Sequence, residues 1–241
     1  MTVPMISVVM PAFNEAEILD RSVTTVADGL RDRGAPFEII VVENGSTDAT
    51  GAIADGLGGR IPEVRVVHLD TADYGRALRA GLLAADGDVV VNFDVDFFDL
   101  EFLDAAVVRL REPGGPAIVV GSKRAPGAED TRSLLRRVAT WCFATLLRIG
   151  FGLSVSDTHG VKALRTGDVR DAAQACLSGT DLFDTELVLR VERLGLRVTE
   201  LPVTVRELRP ARSSFLARVP RTLLGLCRLR FALGRERRRA R

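Results

Sequence analysis

Short apolar runs rich in valine and isoleucine alternate along the chain with segments whose apolar positions recur at helical spacing. "ISVVMPA", "FEIIVVEN", "VRVVHL", "DVVVNFDVD" and "AIVVGSKR" read as five strands, because unbroken β-branched runs suit strands covered on both faces. Helices are expected from about Glu15 to Arg33, after "GSTDAT", over "GRALRAGLLAA" with apolar positions 77, 78, 82 and 85, and over "FDLEFLDAAVVRLRE". This alternation predicts an α/β fold, a mostly parallel sheet flanked by helices. Ligands of such sheets gather at the carboxyl ends of the strands. After residue 127 the pattern changes. A long amphipathic helix is expected over "DTRSLLRRVATWCFATLLRIGF", a return to the sheet at "DTHGVKALR", a helix at "DLFDTELVLRVERLG" and a late strand at "LRVTELPVTVRE". From Ser213 the chain reads as a basic amphipathic helix with a polyarginine tail, which divides it into a domain, 1–212, and an arm, 213–241.

Charge sharpens that division. The net charge is +1, yet residues 206–241 hold twelve arginines against Glu207 and Glu236, so the preceding 205 residues are net acidic. An anionic partner is expected near the C-terminus. Phe215, Leu216, Val219, Leu223, Leu224 and Leu226 flanked by arginines suit an anionic membrane interface; packing on the domain or in a homo-oligomer is the plain alternative. No aromatic stacking surface accompanies the arginines, so specific nucleic-acid binding is not expected. Cys142, Cys176 and Cys227 fit no metal or redox spacing and read as reduced thiols. "MTVPMISVVMPAF" lacks the features of a signal peptide, and Arg148 interrupts the longest apolar stretch, so a cytoplasmic protein with no spanning segment is expected.

Three strand ends carry candidate chemistry. Asp94 and Asp96 would share one face of a strand at i and i+2, as a hard divalent ion prefers when it takes carboxylates plus substrate phosphates; solvated turn aspartates would look the same. In "PAFNEAEIL", Pro11 is expected to end the strand and Asn14 with Glu15 to open a helix whose N–H groups can face a ligand. Asn14 as a simple N-cap is the alternative. In "VVENGSTDAT" the acidic and amide groups suit ribose hydroxyls or a base edge, or else Ser46 or Thr47 caps the next helix and Asp48 complements its dipole.

Taken in order, "PAFNEAEIL", "VVENGSTDAT", "YGRALRAGLLAADGDVVVNFDVD" and "DTELVLRVERLGLRVTELPV" resemble the family 2 glycosyltransferases of the GT-A fold across nearly the whole chain. "VGSKRAPG", "SDTHGVKAL" and "ELPVTVRELRPARSS" look most like the polyprenyl-phosphate (dolichyl-phosphate) mannosyl- and glucosyltransferases. The resemblance implies that Pro11, Phe13, Glu15, Glu43 and Asn44 surround the base and ribose of a GDP- or UDP-hexose. It implies that Asp94 and Asp96 hold Mg²⁺ or Mn²⁺ on the diphosphate, with Gly75 and Arg76 close by and Arg209 and Ser213 in a basic loop over the phosphates. The chain departs from the family at Glu43 and Asn44, where two aspartates are usual, and at Phe98, where a glutamine is common. It also carries Val161-Lys162 for Phe-Arg, and Ala211 for a glycine.

The acceptor decides the remaining chemistry. An alcohol needs a general base, for which Asp184 in "FDTEL" is the candidate. A phosphate monoester has a second pKa of about 6 and arrives ionised. It needs cations instead, and Lys123, Arg124 and Arg136, with Arg132 and Arg137, are candidates to grip it. Asp184 and Glu186 can equally serve the dipole of their helix. The leading expectation is an inverting, metal-dependent hexosyltransferase to polyprenyl phosphate at the inner face of the membrane. Transfer to a soluble alcohol, or nucleotide-sugar binding without catalysis, are the alternatives. His159 is expected near the site or merely exposed, and Trp141 in core or interface packing.

Overall fold

The computed structural model of the protein describes residues 3–122, 141, 145–155, 158, 160–179, 182–203 and 215–239, the last helix with side chains at 222–236. One sheet holds β1 (Ile6–Ala12), β2 (Phe37–Asn44), β3 (Val64–Leu69), β4 (Val89–Asn92), β5 (Ile118–Ser122), β6 (Lys162–Arg165) and β7 (Val198–Pro202). Their spatial order is β3-β2-β1-β4-β6-β5-β7. All pairings are parallel except those of β6, which runs antiparallel to both β4 and β5. The expected mostly parallel sheet is what the chain adopts.

The helices are α1 (Leu19–Asp32), α2 (Thr50–Arg60), α3 (Tyr74–Ala84), α4 (Leu100–Arg111), α5 (Thr166–Ala175), α6 (Phe183–Arg193) and α7 (Phe215–Arg239), with a further helical stretch at 145–151. Successive strand residues point to opposite faces. Val8, Met10, Ile39, Val41 and Val91 therefore meet α1, α2 and α4 in one core, while Val9, Ile40, Val42 and Val90 meet α3, α5, α6 and α7 in a second. Two covered faces are why these strands read as unbroken apolar runs. Contact between α3 and β1 is close: a Cβ at Gly81 would stand 2.3 Å from a Val9 methyl carbon. That approach brings the first turn of α3 to the carboxyl edge of the sheet.

Several boundaries differ from expectation, each for a local reason. The first helix begins at Leu19 rather than Glu15: residues 16–18 form a turn, Ile18 at the helix start is non-helical (φ −125°, ψ −16°), and Asn14 ahead of it takes the left-handed conformation (φ 54°). Pro11 lies within β1, paired with Val42, instead of ending it. The carbonyl of Val9 accepts the Phe93 N–H at 3.0 Å. Pro11, two residues on, points the same way but past the last β1–β4 pair, Val9 with Asn92, so no ladder bond is missed. β4 stops at Asn92, and Asp94 and Phe97 exchange backbone hydrogen bonds at 3.0 and 3.2 Å. Asp94 and Asp96 therefore stand on a tight turn, not on a strand face.

The C-terminal helix also departs from its expected single apolar region. Leu226, Leu229 and Leu233 are buried in the second core, whereas Leu223 and Leu224 are exposed. Arg190 of α6 pairs with Glu236 of α7 at 3.0 Å, and Arg230 of α7 lies over the Phe151 ring at 5.9 Å. From residue 222 onward the arm is thus packed on the domain. Cys176 is buried and Cys227 exposed, and Trp141 is 57% exposed instead of packed in a core. Burial pushes the Cys176 thiol up to about 12, with the nearby Glu186 charge acting the same way.

Candidate active site

β1 has β2 on one side and β4 on the other, and the chain leaves it in one direction before returning to the opposite side. Such a reversal opens a crevice at the carboxyl ends of the central strands. The three singled-out segments, after β1, β2 and β4, all converge there. Among the residues expected to contact a nucleotide, Pro11, Glu43, Asn44 and Gly75 are buried, Glu15 is half-buried, and Phe13 and Arg76 are exposed.

The first two loops are laced together through their polar side chains. Asn14 Oδ1 accepts the Thr47 N–H at 2.8 Å, and the Asn14 N–H donates to Ser46 Oγ at 3.0 Å. The Glu15 N–H donates to Thr50 Oγ1 at 2.8 Å. Asn14 is therefore a cross-loop strut and not a helix cap. Asp48 accepts the Thr50 N–H at 2.9 Å, while α2 has no side-chain cap from Ser46 or Thr47. Glu43 accepts the Ser46 N–H at 2.6 Å, and Asn44 Oδ1 accepts the Asp73 N–H at 2.8 Å. Glu43 and Asn44, where the family usually has two aspartates, thus hold neighbouring backbone in place.

His68 adds a pH-sensitive contact to this edge. It stands 2.8 Å from Asp55 and 3.5 Å from Glu43. Its hydrogen bond to Asp55 raises its pKa against the opposing effect of partial burial, and Glu43 adds to the rise. A raised folded-state value means stability that is full below the unfolded pKa of about 6.5 and is lost as pH rises through the folded one. Thermal melts across pH should show the advantage of the wild type over His68→Gln largest in mild acid and vanishing in mild alkali. A difference independent of pH would contradict this.

Asp94 and Asp96 form the acidic part of the crevice. Val95 between them is buried, Asp94 is half-buried and Asp96 is exposed. Asp94 Oδ1 accepts a hydrogen bond from the Tyr74 hydroxyl at 3.0 Å. Burial, and the charges of Asp96 and Asp184 behind it, push the Asp94 carboxyl above the usual range, against Tyr74 and Lys162. Burial together with Asp94 keeps the Tyr74 phenol protonated, its pKa raised well above the ordinary value. Phe98, where the family often carries glutamine, turns away: its ring packs on Phe93 with centroids 6.4 Å apart, against the first core. Among the described residues no three carboxylate, histidine or cysteine groups close around a metal position. Two hard carboxylates with crowded negative charge nevertheless fit a divalent ion whose remaining ligands come from substrate phosphates and water.

Asp184, at the start of α6, is buried and engaged. Lys162 Nζ stands 2.8 Å from Asp184 Oδ1, with the two side chains 1% and 7% exposed. Sequence reasoning gave Lys162 no role and did not single out Tyr74. Both left signals: the chain's single tyrosine directly precedes Gly75 and Arg76, and Lys162 replaces a family arginine. Glu186, two residues on from Asp184, is fully buried and accepts the Leu177 and Ser178 N–H groups at 3.0 and 2.7 Å and Arg190 Nε at 2.8 Å. Burial opposes its ionisation, but these bonds outweigh it and lower its pKa. Lys123, Arg124, Arg132, Arg136, Arg137, His159, Arg209 and Ser213 lie outside the described residues.

A strand-end crevice of this topology with an acidic turn defines a GT-A-type sugar-transfer scaffold. Residues 7–170 match Glycosyl transferase family 2, and the chain belongs to that family; it is a glycosyltransferase. It is 32% identical over 210 residues to the undecaprenyl-phosphate mannosyltransferase of Micrococcus luteus, spanning 83% of this chain and 82% of that one. It is 33% identical over 207 residues to the glycosyltransferase AglD of Haloferax volcanii; the match takes in 82% of this chain but only 32% of that longer protein. Among solved structures, glucosyl-3-phosphoglycerate synthase from Mycobacterium tuberculosis, bound to Mn²⁺, UDP and phosphoglyceric acid, superimposes with a TM-score of 0.64 at 26% identity, over 90% of this chain and 74% of that one. The mannosyltransferase of Pyrobaculum calidifontis, bound to GDP-mannose and Mn²⁺, shares the fold with a TM-score of 0.62 at 22% identity, over 92% of this chain and 61% of that one.

Proposed function

We propose that this protein is an inverting, metal-dependent hexosyltransferase that moves a sugar from a GDP- or UDP-hexose to a polyprenyl phosphate at the cytosolic face of a membrane. The observation that carries the acceptor class is the pairing of Asp184 with Lys162. The carboxylate expected to deprotonate an alcohol is already spent on a buried cation, which favours an acceptor that arrives ionised. A phosphate oxygen attacks the anomeric carbon, the bond from that carbon to the donor diphosphate breaks, and the nucleoside diphosphate leaves with the electron pair. Asp94 and Asp96 would hold a divalent ion, Mg²⁺ or Mn²⁺, which when bound supplies charge neutralisation for that leaving group. Pro11, Phe13, Glu15, Glu43, Asn44, Gly75 and Arg76 are assigned to the nucleotide, with Arg209 and Ser213. Lys123, Arg124 and Arg136 are assigned to the acceptor phosphate. The near full-length likeness to the Micrococcus enzyme supports this choice.

The test is incubation of labelled GDP- and UDP-hexoses with a short-chain polyprenyl phosphate and Mn²⁺. Label should enter the lipid. Transfer only to a soluble alcohol, abolished by Asp184→Asn, would overturn the acceptor assignment. That second reading, with Asp184 as general base, draws its support from the likeness to the phosphoglycerate enzyme.

No helix among the described residues is long and apolar enough to cross a membrane. The surface we assign to a peripheral contact is on α7. Leu224 and Phe231, seven residues apart, are 62% and 75% exposed, and Arg228, Arg230 and Arg235 beside them are exposed too. Ile149, next to the Gly150 carbonyl that Arg230 bonds, is 82% exposed. Apolar side chains rimmed by arginines suit an anionic lipid surface. Deleting the arm would also strip Leu226, Leu229 and Leu233 from the core, so substitution is the cleaner probe. Leu224→Asp with Phe231→Asp should abolish flotation with anionic liposomes while leaving the melting temperature within a few degrees. Unchanged flotation would remove the membrane assignment.

A further inference from the structure

Lys162 opens β6 directly opposite Asn92 in the β4–β6 register, two residues before Asp94. Its ammonium bonds Asp184 at 2.8 Å and the Gly160 carbonyl at 2.9 Å, and Asn92 Nδ2 donates to the same carbonyl at 3.3 Å. The two side chains are buried, and they border a small, mostly apolar cavity whose lining includes Leu78, Leu82, Val90 and Leu164 along with Asn92, so little water screens the pair. Charges so placed act on one another over longer distances than in solvent. Lys162 and its partner Asp184 thus sit beside Asn92, the last residue of β4, two positions before Asp94. By themselves Asp94, Asp96, Asp184 and Lys162, three carboxylates and one ammonium, carry two net negative charges, the complement of one divalent cation.

We propose that Lys162 is a positioning residue acting as an internal counterion: it cancels Asp184, leaving Asp94 and Asp96 as a dianionic pair matched to one divalent ion on the donor diphosphate. This rests on the metal-dependent reading of the site. The ion pair also keeps the Asp184 carboxylate on the sheet side of the crevice, where it does not compete with the diphosphate for the cation. A merely structural bridge would make its two halves equivalent, since losing either would loosen β6 from α6 in the same way. A counterion makes them opposite.

The test is Mn²⁺ binding to the full chain, read by electron paramagnetic resonance with GDP or UDP present. Lys162→Met raises the local negative charge and should tighten Mn²⁺ about tenfold; Asp184→Asn lowers it and should weaken Mn²⁺ about tenfold. The double variant should return to within about threefold of the wild type, because the two opposite charge changes add to nothing. Both single variants shifting in the same direction, or neither shifting, would overturn the counterion role while leaving the metal reading intact. A wild type that binds no Mn²⁺ with either nucleotide would overturn both. Should Lys162→Met fail to fold, Lys162→Gln, which removes the charge but keeps hydrogen-bond donors for Asp184 and the Gly160 carbonyl, takes its place: tightened Mn²⁺ supports the role, and weakened or unchanged Mn²⁺ removes it.

Discussion

Asp94→Asn is expected to lower sugar transfer by about 100- to 1000-fold, the scale seen when one group that stabilises developing charge is removed, while its melting temperature stays level or rises. The two halves of this result have different origins. Asparagine retains an oxygen for the Tyr74 hydroxyl, which bonds Asp94 at 3.0 Å, so the turn keeps its anchor. What disappears is a half-buried negative charge that Asp96 and Asp184 repel, and its loss relieves the folded protein of a like-charge cost. Transfer assays with Mn²⁺ beside thermal melts separate the effects. Activity within tenfold of the wild type would show that the acidic turn does not serve the donor. A large drop in melting temperature would show that Asp94 is structural.

Glu186→Ala should have the largest effect on stability, about 3–5 kcal/mol, the cost of breaking a buried pair by removing one partner. Arg190, itself only 9% exposed, would lose the carboxylate at 2.8 Å, and the Leu177 and Ser178 N–H groups would lose their acceptor. For a chain of this size that corresponds to a fall in melting temperature on the order of 10 °C. Arg190 is also the residue that reaches Glu236, so α7 should loosen with it. Differential scanning calorimetry would check both: a shift under about 2 °C, small against that expectation, would mean that water replaces the lost partners.

The strands and their order of chemistry were legible because strands covered on both faces leave a strong apolar signature. β3, predicted over "VRVVHL", is observed at Val64–Leu69. Terminal features were less legible. Nothing local in "PAFNEAEIL" reveals that Asn14 turns left-handed to bond Thr47, a residue 33 positions away. The two apolar stripes of α7 overlap in sequence, and only the position of the core tells Leu226 from Leu224. At the site, carboxylates were found by type and spacing. The engagement of Asp184 was not, because a salt bridge between residues 162 and 184 has no spacing signal and depends on how β6 runs.

That reversed strand has a consequence for how the protein can vary. In an all-parallel sheet every strand delivers only its last residues to the ligand edge, and the residues before it emerge on the far side. β6 is the exception, and it brings its beginning there: Lys162 pairs with Asn92 at the end of β4, and the Gly160 carbonyl accepts from the Asn92 side chain. The segment entering β6 is therefore a separate supplier of side chains to the crevice, drawn from a part of the chain that the β1-to-β4 units do not constrain. Its composition can therefore vary independently of the ends of β1, β2 and β4.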